Sequence, residues 1–385
     1  MSYYLLPSVN SNIKSINITH NNENEICISK TLNNYLNEIK HAINDNNDNW
    51  DHIKKYTNPY EFIHTIIPGN KYSVSKLKPL SRSYYKMIEI SSLLNIFENF
   101  NTSNIKTFHL AEGPGGFIEA TVDLRNNIHD KYIGMTLINE DPNVPGWKKT
   151  EGYLNINKNI EIETGSSNTG DLLDINNLKY CREKYKNSCD IITADGGFDF
   201  SVDFNHQEVM ATNLLFAELS FALVMQKIDG HFILKIFDIF SKATLDMLYL
   251  LSSCYQEVYI VKPNTSRLAN SEKYIVCKYF KGVSEELLTS IIGQYNKLTT
   301  IKYISSIFDY KLDYYFINKI EEYNAIFGQQ QMENISSTIN LINSKNKNEK
   351  IETLKKNNIN KSIIWCEKYN ILCNKSISTT NIFIN

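Results

Sequence analysis

The chain has 385 residues, with 40 Lys+Arg against 42 Asp+Glu and a formal net charge of −2. Hydrophobic residues at 42% and charged residues at 21% fit a globular protein and exclude wholesale disorder. The near-zero charge excludes a uniformly basic nucleic-acid binder but leaves room for a local basic groove.

The length allows one large domain with extensions, or two domains. No apolar run approaches the roughly 18 residues that span a bilayer, and the N-terminus MSYYLLPSVN does not read as a secretion signal. Seven scattered cysteines make a poor disulfide framework and point to a reducing compartment such as the cytoplasm. Asn, Ile, Lys and Tyr abound, whereas Arg stands only at 82, 125, 182 and 267. A coding bias toward AT-rich codons explains this, and it makes the few arginines and glycines more informative.

Residues 1–79 form an Asn-rich, partly helical N-terminal extension. Within it Asn44–Asn49 (NDNNDN) reads as a solvated loop, and Tyr60–Ile67 as an aromatic segment closed by a Pro68–Gly69 turn. Leu80–Phe100 carries Met87, Ile90, Leu94 and Phe97 at helical spacing. From Thr107 short apolar runs alternate with helical stretches: 107–110, 132–137, 190–194, 231–236, 257–261 and 274–279 are strand-like. Met210, Leu214, Ala217, Phe221, Val224 and Ile228 form a helical stripe. This alternation predicts an α/β fold over residues 80–284, a mostly parallel sheet with helices on both faces. The last two runs lie close enough for a hairpin, which puts an antiparallel strand, 274–279, at the sheet edge. Residues 285–385 read as a helical C-terminal extension.

Five segments carry polar groups where an apolar pattern does not expect them. Phe108–Glu119 (FHLAEGPGGFIE) runs from a strand through a Gly/Pro loop into a helix. Gly115 and Gly116 let a ligand approach the backbone, and the helix N-terminus favours a carboxylate. The loop is neither GxGxxG nor a P-loop, and by itself it is equally a tight strand–helix turn. Asp190–Asp199 (DIITADGGFD) ends a strand in Asp195, the alternative being an Asp in a β-turn. Gly230–Phe237 (GHFILKIF) sets Lys235 in an apolar run, where an ammonium needs a partner, a lowered pKa or a route to the surface. Lys262–Val276 (KPNTSRLANSEKYIV) brings Glu272 to the start of a strand, and Ser81–Lys86 (SRSYYK) places a lysine near a helix start. For each lysine taken singly, a plain surface position is the alternative.

These segments, in this order, resemble the FtsJ/RrmJ-type ribose 2′-O-methyltransferases. That family includes ribosomal RNA enzymes and the mRNA cap 2′-O-methyltransferases of eukaryotes and large DNA viruses. The resemblance covers residues 80–280 and implies a Rossmann-like fold that uses S-adenosylmethionine. It implies a Lys–Asp–Lys–Glu tetrad at Lys86, Asp195, Lys235 and Glu272. It implies a cosubstrate loop at Glu112, Gly113, Pro114, Gly115, Gly116 and Phe117, with Asp195 nearby and Asp171 (NTGDLLD) on the adenine. The Glu in LAEGPGG and the Asn168–Asp171 segment look closer to the cap enzymes. The Asn-rich composition and NPYEFIHT (58–65) look like members from large DNA viruses. One departure stands out: Ile133-Gly-Met-Thr-Leu137 has no acid until Glu140, so the cosubstrate ribose falls to Glu112, Thr136 or backbone groups.

The resemblance implies capped mRNA, with Lys235 as the base that takes the 2′-hydroxyl proton. Ribosomal or other RNA, and a noncatalytic subunit that binds RNA or a partner enzyme, are the alternatives. Partial burial and the like charge of Lys86 are expected to lower the Lys235 pKa, with Asp195 and Glu272 limiting the shift. No metal is required. A basic groove of Lys76, Lys78, Arg82, Lys262 and Arg267 is expected to hold phosphates. Capping or transcription proteins are the expected partners, and no membrane is involved.

Overall fold

The structure is a computed structural model that describes residues 2–20, 26–141, 144–197 and 206–374. Its elements run in this order: β1 (Ser2–Leu5), α1 (Lys30–Asn44), α2 (Asn47–Thr57), α3 (Ser83–Leu93), β2 (Lys106–Leu110), α4 (Gly116–Arg125), β3 (Lys131–Met135), α5 (Glu151–Ile156), β4 (Ile160–Glu163), α6 (Ile175–Tyr185), β5 (Cys189–Ala194), α7 (Gln207–Met210), α8 (Thr212–Met225), β6 (Gln226–Ile236), α9 (Lys242–Cys254), β7 (Tyr255–Lys262), β8 (Lys273–Phe280), α10 (Glu285–Tyr295), α11 (Tyr314–Ile342) and α12 (Lys347–Lys368). Several helices start where their sequence supplies an acceptor for a free backbone N–H: Asp174 for α6, Ser241 for α9, Ser284 for α10 and Asp313 for α11.

One eight-stranded sheet, in the order β1-β7-β8-β6-β5-β2-β3-β4, organises the molecule. The pairs β6–β5, β5–β2, β2–β3 and β3–β4 are parallel. β8 is antiparallel to both neighbours, as the close spacing of the last two strands predicts. It does not lie at the edge, however. β8 fills the slot between β6 and β7, and β1 caps β7 as the antiparallel edge strand. The α9 crossover joins two strands of the same direction and leaves room for the returning strand between them.

Side chains alternate between two cores, as period two requires. Phe108, Leu110, Ile192, Ala194, Phe232, Leu234, Ile275 and Cys277 face a core built with α6, α8, α9 and α10. Ile191, Ile233, Tyr274 and Val276 face a second core built with α3, α4 and α12. Both ends of the chain enter these cores. Leu6 to Ile28 and Leu287 to Phe327 join the first, while Ile53 to Ile67 and Leu341 to Cys366 join the second. The terminal segments therefore supply core rather than pack outside it. Residues 375–385 of the expected helical extension lie outside the described residues.

Three local expectations change. The 210–228 stripe stops at Met225, and Ile228 is an exposed residue of β6. The helix expected over Leu80–Phe100 ends at Leu93, because Asn95 adopts positive φ. Residues 47–49 open α2 instead of extending a loop. Among the described residues, no helix is long and apolar enough to cross a membrane.

Candidate active site

The same alternation puts three of the four predicted tetrad residues on one face. Asp195 follows Ile191 and Thr193, Lys235 follows Ile233, and Glu272 precedes Tyr274 and Val276, each by steps of two. This is the face covered by α3, and α3 contributes Lys86. Leu110 pairs with Ala194 and Asp195 N donates to Leu110 O (3.4 Å), so Gly115 and Asp195 share one end of the sheet.

Lys86 is 4% exposed, and its Nζ lies 2.7 and 2.8 Å from the two Glu272 oxygens. Lys235 Nζ donates to the Asp195 carbonyl (2.7 Å) and stands 3.4 Å from Asp195 Oδ1. Tyr274, unforeseen in the sequence reading, donates its hydroxyl to Asp195 Oδ1 (2.8 Å) and lies under Lys86 Nζ, 5.8 Å from ring centre to nitrogen.

The charge states differ from the expectation. Burial pulls the Lys86 pKa down, against Glu272 and Asp195. Burial pulls on Lys235 too, but the anions of Asp195, Glu272 and Glu218 outweigh it and hold its pKa above the usual lysine value. The lysine expected to be depressed is therefore raised, because more carboxylates face it than face Lys86. Glu272 is held well below the usual carboxylate range: burial opposes this, and Lys86 and Lys235 overcome it.

The cosubstrate loop is built by close approaches. Gly115 has φ 106°, which a side chain disfavours. A Cβ on Gly116 would lie 2.2 Å from both Ser81 Oγ and Ser83 Oγ, and one on Gly113 would lie 2.8 Å from Pro145 O. The carboxylate at the N-terminus of α4 is the chain's own. Glu112 Oε1 accepts from Phe117 N (2.7 Å) and Ile118 N (3.0 Å), so these two donors are not free for a ligand carboxylate, contrary to expectation. Burial pushes the Glu112 carboxyl up to about 8. Thr136 follows β3, and the loop after β4 packs onto it. Ile138 N donates to Thr169 O (2.8 Å), and a Cβ at Gly170 would lie 1.9 Å from Thr136 O. Asp171 follows at once, half-buried, with Oδ1 held by Leu173 N (2.8 Å). Glu112, Thr136, Asp171 and Asp195 thus follow successive strand ends, where an open α/β sheet binds ligands.

The expected basic groove survives only in part. Lys262 is 6% exposed and donates to Asn270 O (2.6 Å), Asn270 Oδ1 (2.8 Å) and Glu272 O (2.7 Å), so its ammonium is committed to shaping the Glu272 loop. Arg267 makes a two-pronged pair with buried Glu61 (2.9 and 2.6 Å). Lys76 and Lys78 are exposed. Arg82 is half-buried near Lys86 and Glu272, and its guanidinium has no hydrogen-bond or ion-pair partner among the described residues. A cavity of about 600 Å³ opens beside the tetrad. Lys235 and Glu272 line it together with Trp50, Lys54, Arg267 and Gln331, so α2 and α11 form its far wall. Among the described residues no cluster of three or more His, Cys, Asp or Glu could hold a metal.

The family model described as FtsJ-like methyltransferase matches residues 79–280, more than half of the chain. The chain belongs to the FtsJ-like methyltransferases. Such an enzyme takes its methyl group from S-adenosylmethionine, and the glycine-lined loop with Thr136 and Asp171 at the strand ends fits that group. Two curated relatives are a cap-specific mRNA (nucleoside-2′-O-)-methyltransferase 2 from Pongo abelii, 28% identical over 84% of this chain and 43% of its own length, and a cap-specific mRNA (nucleoside-2′-O-)-methyltransferase 1 from Mus musculus, 31% identical over 63% of this chain and 30% of its own. The chain spans less than half the length of these relatives. Among solved structures it is similar to a ribosomal RNA methyltransferase, putative, from Plasmodium falciparum, at 22% identity over 53% of this chain and 99% of that one, with a TM-score of 0.35.

Proposed function

We propose that this chain is an RNA ribose 2′-O-methyltransferase that acts on the first transcribed nucleotides of capped mRNA, with Lys235 as general base. The observation that carries the reading is the pairing of two lysines with two acids beside one cavity, with Lys235 and Glu272 lining it. Lys86 stands behind that wall. This division supports Lys235 as the amine that meets substrate and Lys86 as the charge that aims Glu272. The names of the relatives support capped mRNA over ribosomal RNA.

S-adenosylmethionine supplies a methyl on a sulfonium, already a good leaving group and a positive charge that disfavours a neighbouring ammonium. With that group bound, the chain's residues would hold the 2′-hydroxyl in line with it, at the near-attack separation of about 3–3.5 Å that such transfers require. Neutral Lys235 Nζ accepts the hydroxyl proton. Asp195, braced by Tyr274, fixes where that amine points. Trp50, Arg267 and Gln331 bound the space for the nucleotide.

The test is a filter assay of labelled methyl transfer to matched capped and uncapped RNAs. Transfer to the 2′-oxygen of the nucleotide next to the cap is expected. Equal transfer to uncapped RNA would replace the cap assignment with another RNA target, and no transfer to any RNA would favour a binding subunit.

A further inference from the structure

The helix α8 is almost wholly apolar and buried, yet it carries one acid, Glu218, with no exposed surface. A carboxylate there is costly unless something compensates it. Glu218 Oε1 accepts from Gly196 N at 3.2 Å. Its Oε2 is buried with no hydrogen-bond partner among the described residues. The contact is tight, since a Cβ on Gly196 would lie 2.2 Å from Glu218 Oε1. On the other side of the same turn, a Cβ on Gly197 would lie 3.1 Å from Lys235 Nζ. The Asp195–Gly197 turn is therefore a thin backbone layer, with the carboxylate of Glu218 behind it and the ammonium of Lys235 in front.

We propose that Glu218 is a positioning residue for methyl transfer, one oxygen fixing the Asp195–Gly197 turn and the other setting the charge on Lys235 through that turn. The proposal rests on the reading of Lys235 as the base. The groups facing Lys235 are Asp195 from the end of β5, Glu272 before β8, Glu218 from α8, Glu112 from the end of β2 and Lys86 from α3. Those facing Glu218 are Lys235, Asp195 and, from α10, Tyr295. Burial pushes the Glu218 carboxyl up to about 8 while Lys235 pulls it back down. The Lys235 ammonium favours the Glu218 carboxylate, and that carboxylate, once formed above about pH 8, favours the ammonium in turn. Two of the other anions around Lys235 serve visible partners: Asp195 binds Tyr274, and Glu272 binds Lys86. Among the described residues Glu218 has a backbone N–H and the lysine's field. Two glycines in succession are what this layer requires, because a side chain at either position would part the two charges.

The experiment is the pH dependence of single-turnover methyl transfer in the full chain and in Glu218→Gln. Gln keeps an oxygen for Gly196 N and removes the charge. An anion near an amine favours its protonated form, so its loss lets Lys235 become neutral at lower pH. The alkaline inflection of the rate should move down by about one pH unit, which on the part of the rising limb above about pH 8, where Glu218 is ionised, is about a tenfold faster rate at fixed pH. Glu218→Asp keeps the charge but withdraws it from the turn, so it should move the inflection the same way by less; it serves as the test if Gln does not fold. A purely structural role would lower the rate equally at every pH. A folded variant of either kind whose inflection stays in place overturns the proposal. If instead Lys235→Arg turns over with the wild-type inflection, the base assignment itself fails and this proposal falls with it.

Discussion

Lys235 and Tyr274 sit directly opposite each other on the antiparallel strands β6 and β8, and both reach the carboxylate of Asp195, the residue just past the neighbouring β5. Opposite residues of such a pair share a face, so one register fixes three polar groups in a row. A slip of one residue would turn Lys235 into the α8 core and Tyr274 away from Asp195.

Lys235→Arg tests the base. Arginine keeps a positive charge but does not deprotonate at working pH. The single-turnover rate should fall by about 10²-fold or more while S-adenosylmethionine and RNA still bind by calorimetry. Near-normal turnover would make Lys235 an electrostatic anchor only.

Glu272→Gln should destabilise the protein at neutral pH by about 3 kcal/mol, because it leaves buried Lys86 without its counter-charge. The folded-state pKa of Glu272 lies below its ordinary value of 4.5, so its stabilisation is complete above that pH and is lost as pH falls toward the folded value. Urea unfolding at pH 7 and at pH 4 should show the gap between variant and parent narrowing at the lower pH. A gap that widens on acidification would contradict the pairing.

Arg82 and Arg267, alike in the sequence, should separate experimentally. Among the described residues the guanidinium of Arg82, near the tetrad, has no hydrogen-bond or ion-pair partner. Arg82→Ala should weaken RNA binding and reduce the slope of log affinity against log salt by about 0.7, one single-strand phosphate contact. Arg267 satisfies Glu61, whose carboxyl is held at about 2 by that partner against the opposing effect of burial. Arg267→Ala should lower thermal stability by about 3 kcal/mol and leave the salt slope as it was. An unchanged melting temperature would show the pair to be dispensable.

Asp171→Ala should weaken S-adenosylmethionine binding about tenfold, the scale of a hydrogen bond to a charged group. Gly116→Ala should weaken it too and cost about 1–3 kcal/mol of stability, since the new methyl meets two serine hydroxyls. Calorimetry and thermal melts check both, and unchanged affinity in Asp171→Ala would remove that residue from the site.

The sheet was legible because its central strands are long and apolar. β1 and β4 escaped notice: SYYL has only four residues at a terminus, and IEIE alternates charge with apolar residues at an edge. Lys235 stood out as a cation in an apolar run. Glu218 offers the same signal in TNLLFAELSFALVM, a lone acid among apolar residues, but a helix can turn an acid to solvent, so sequence alone does not mark it as buried. Tyr274 was one of 24 tyrosines. Its role depends on strand register, which composition does not carry. Lys262 and Arg267 misled because their neighbours in sequence are polar, whereas their partners in space, Asn270 and Glu61, are fixed by folding.

The long helix α11 begins in one core and ends in the other. On the way Asn324 Nδ2 donates to Ile239 O, just past Lys235, and Gln331 Nε2 donates to Ala269 O, just before Glu272. Helix α11 thus ties the strands that carry Lys235 and Glu272 to the C-terminal helices. A fragment trimmed to residues 79–280 would carry every tetrad residue and still leave the apolar flanks of its sheet bare on both sides. Cutting this chain at the bounds of the family match should therefore yield an aggregating product rather than a smaller enzyme.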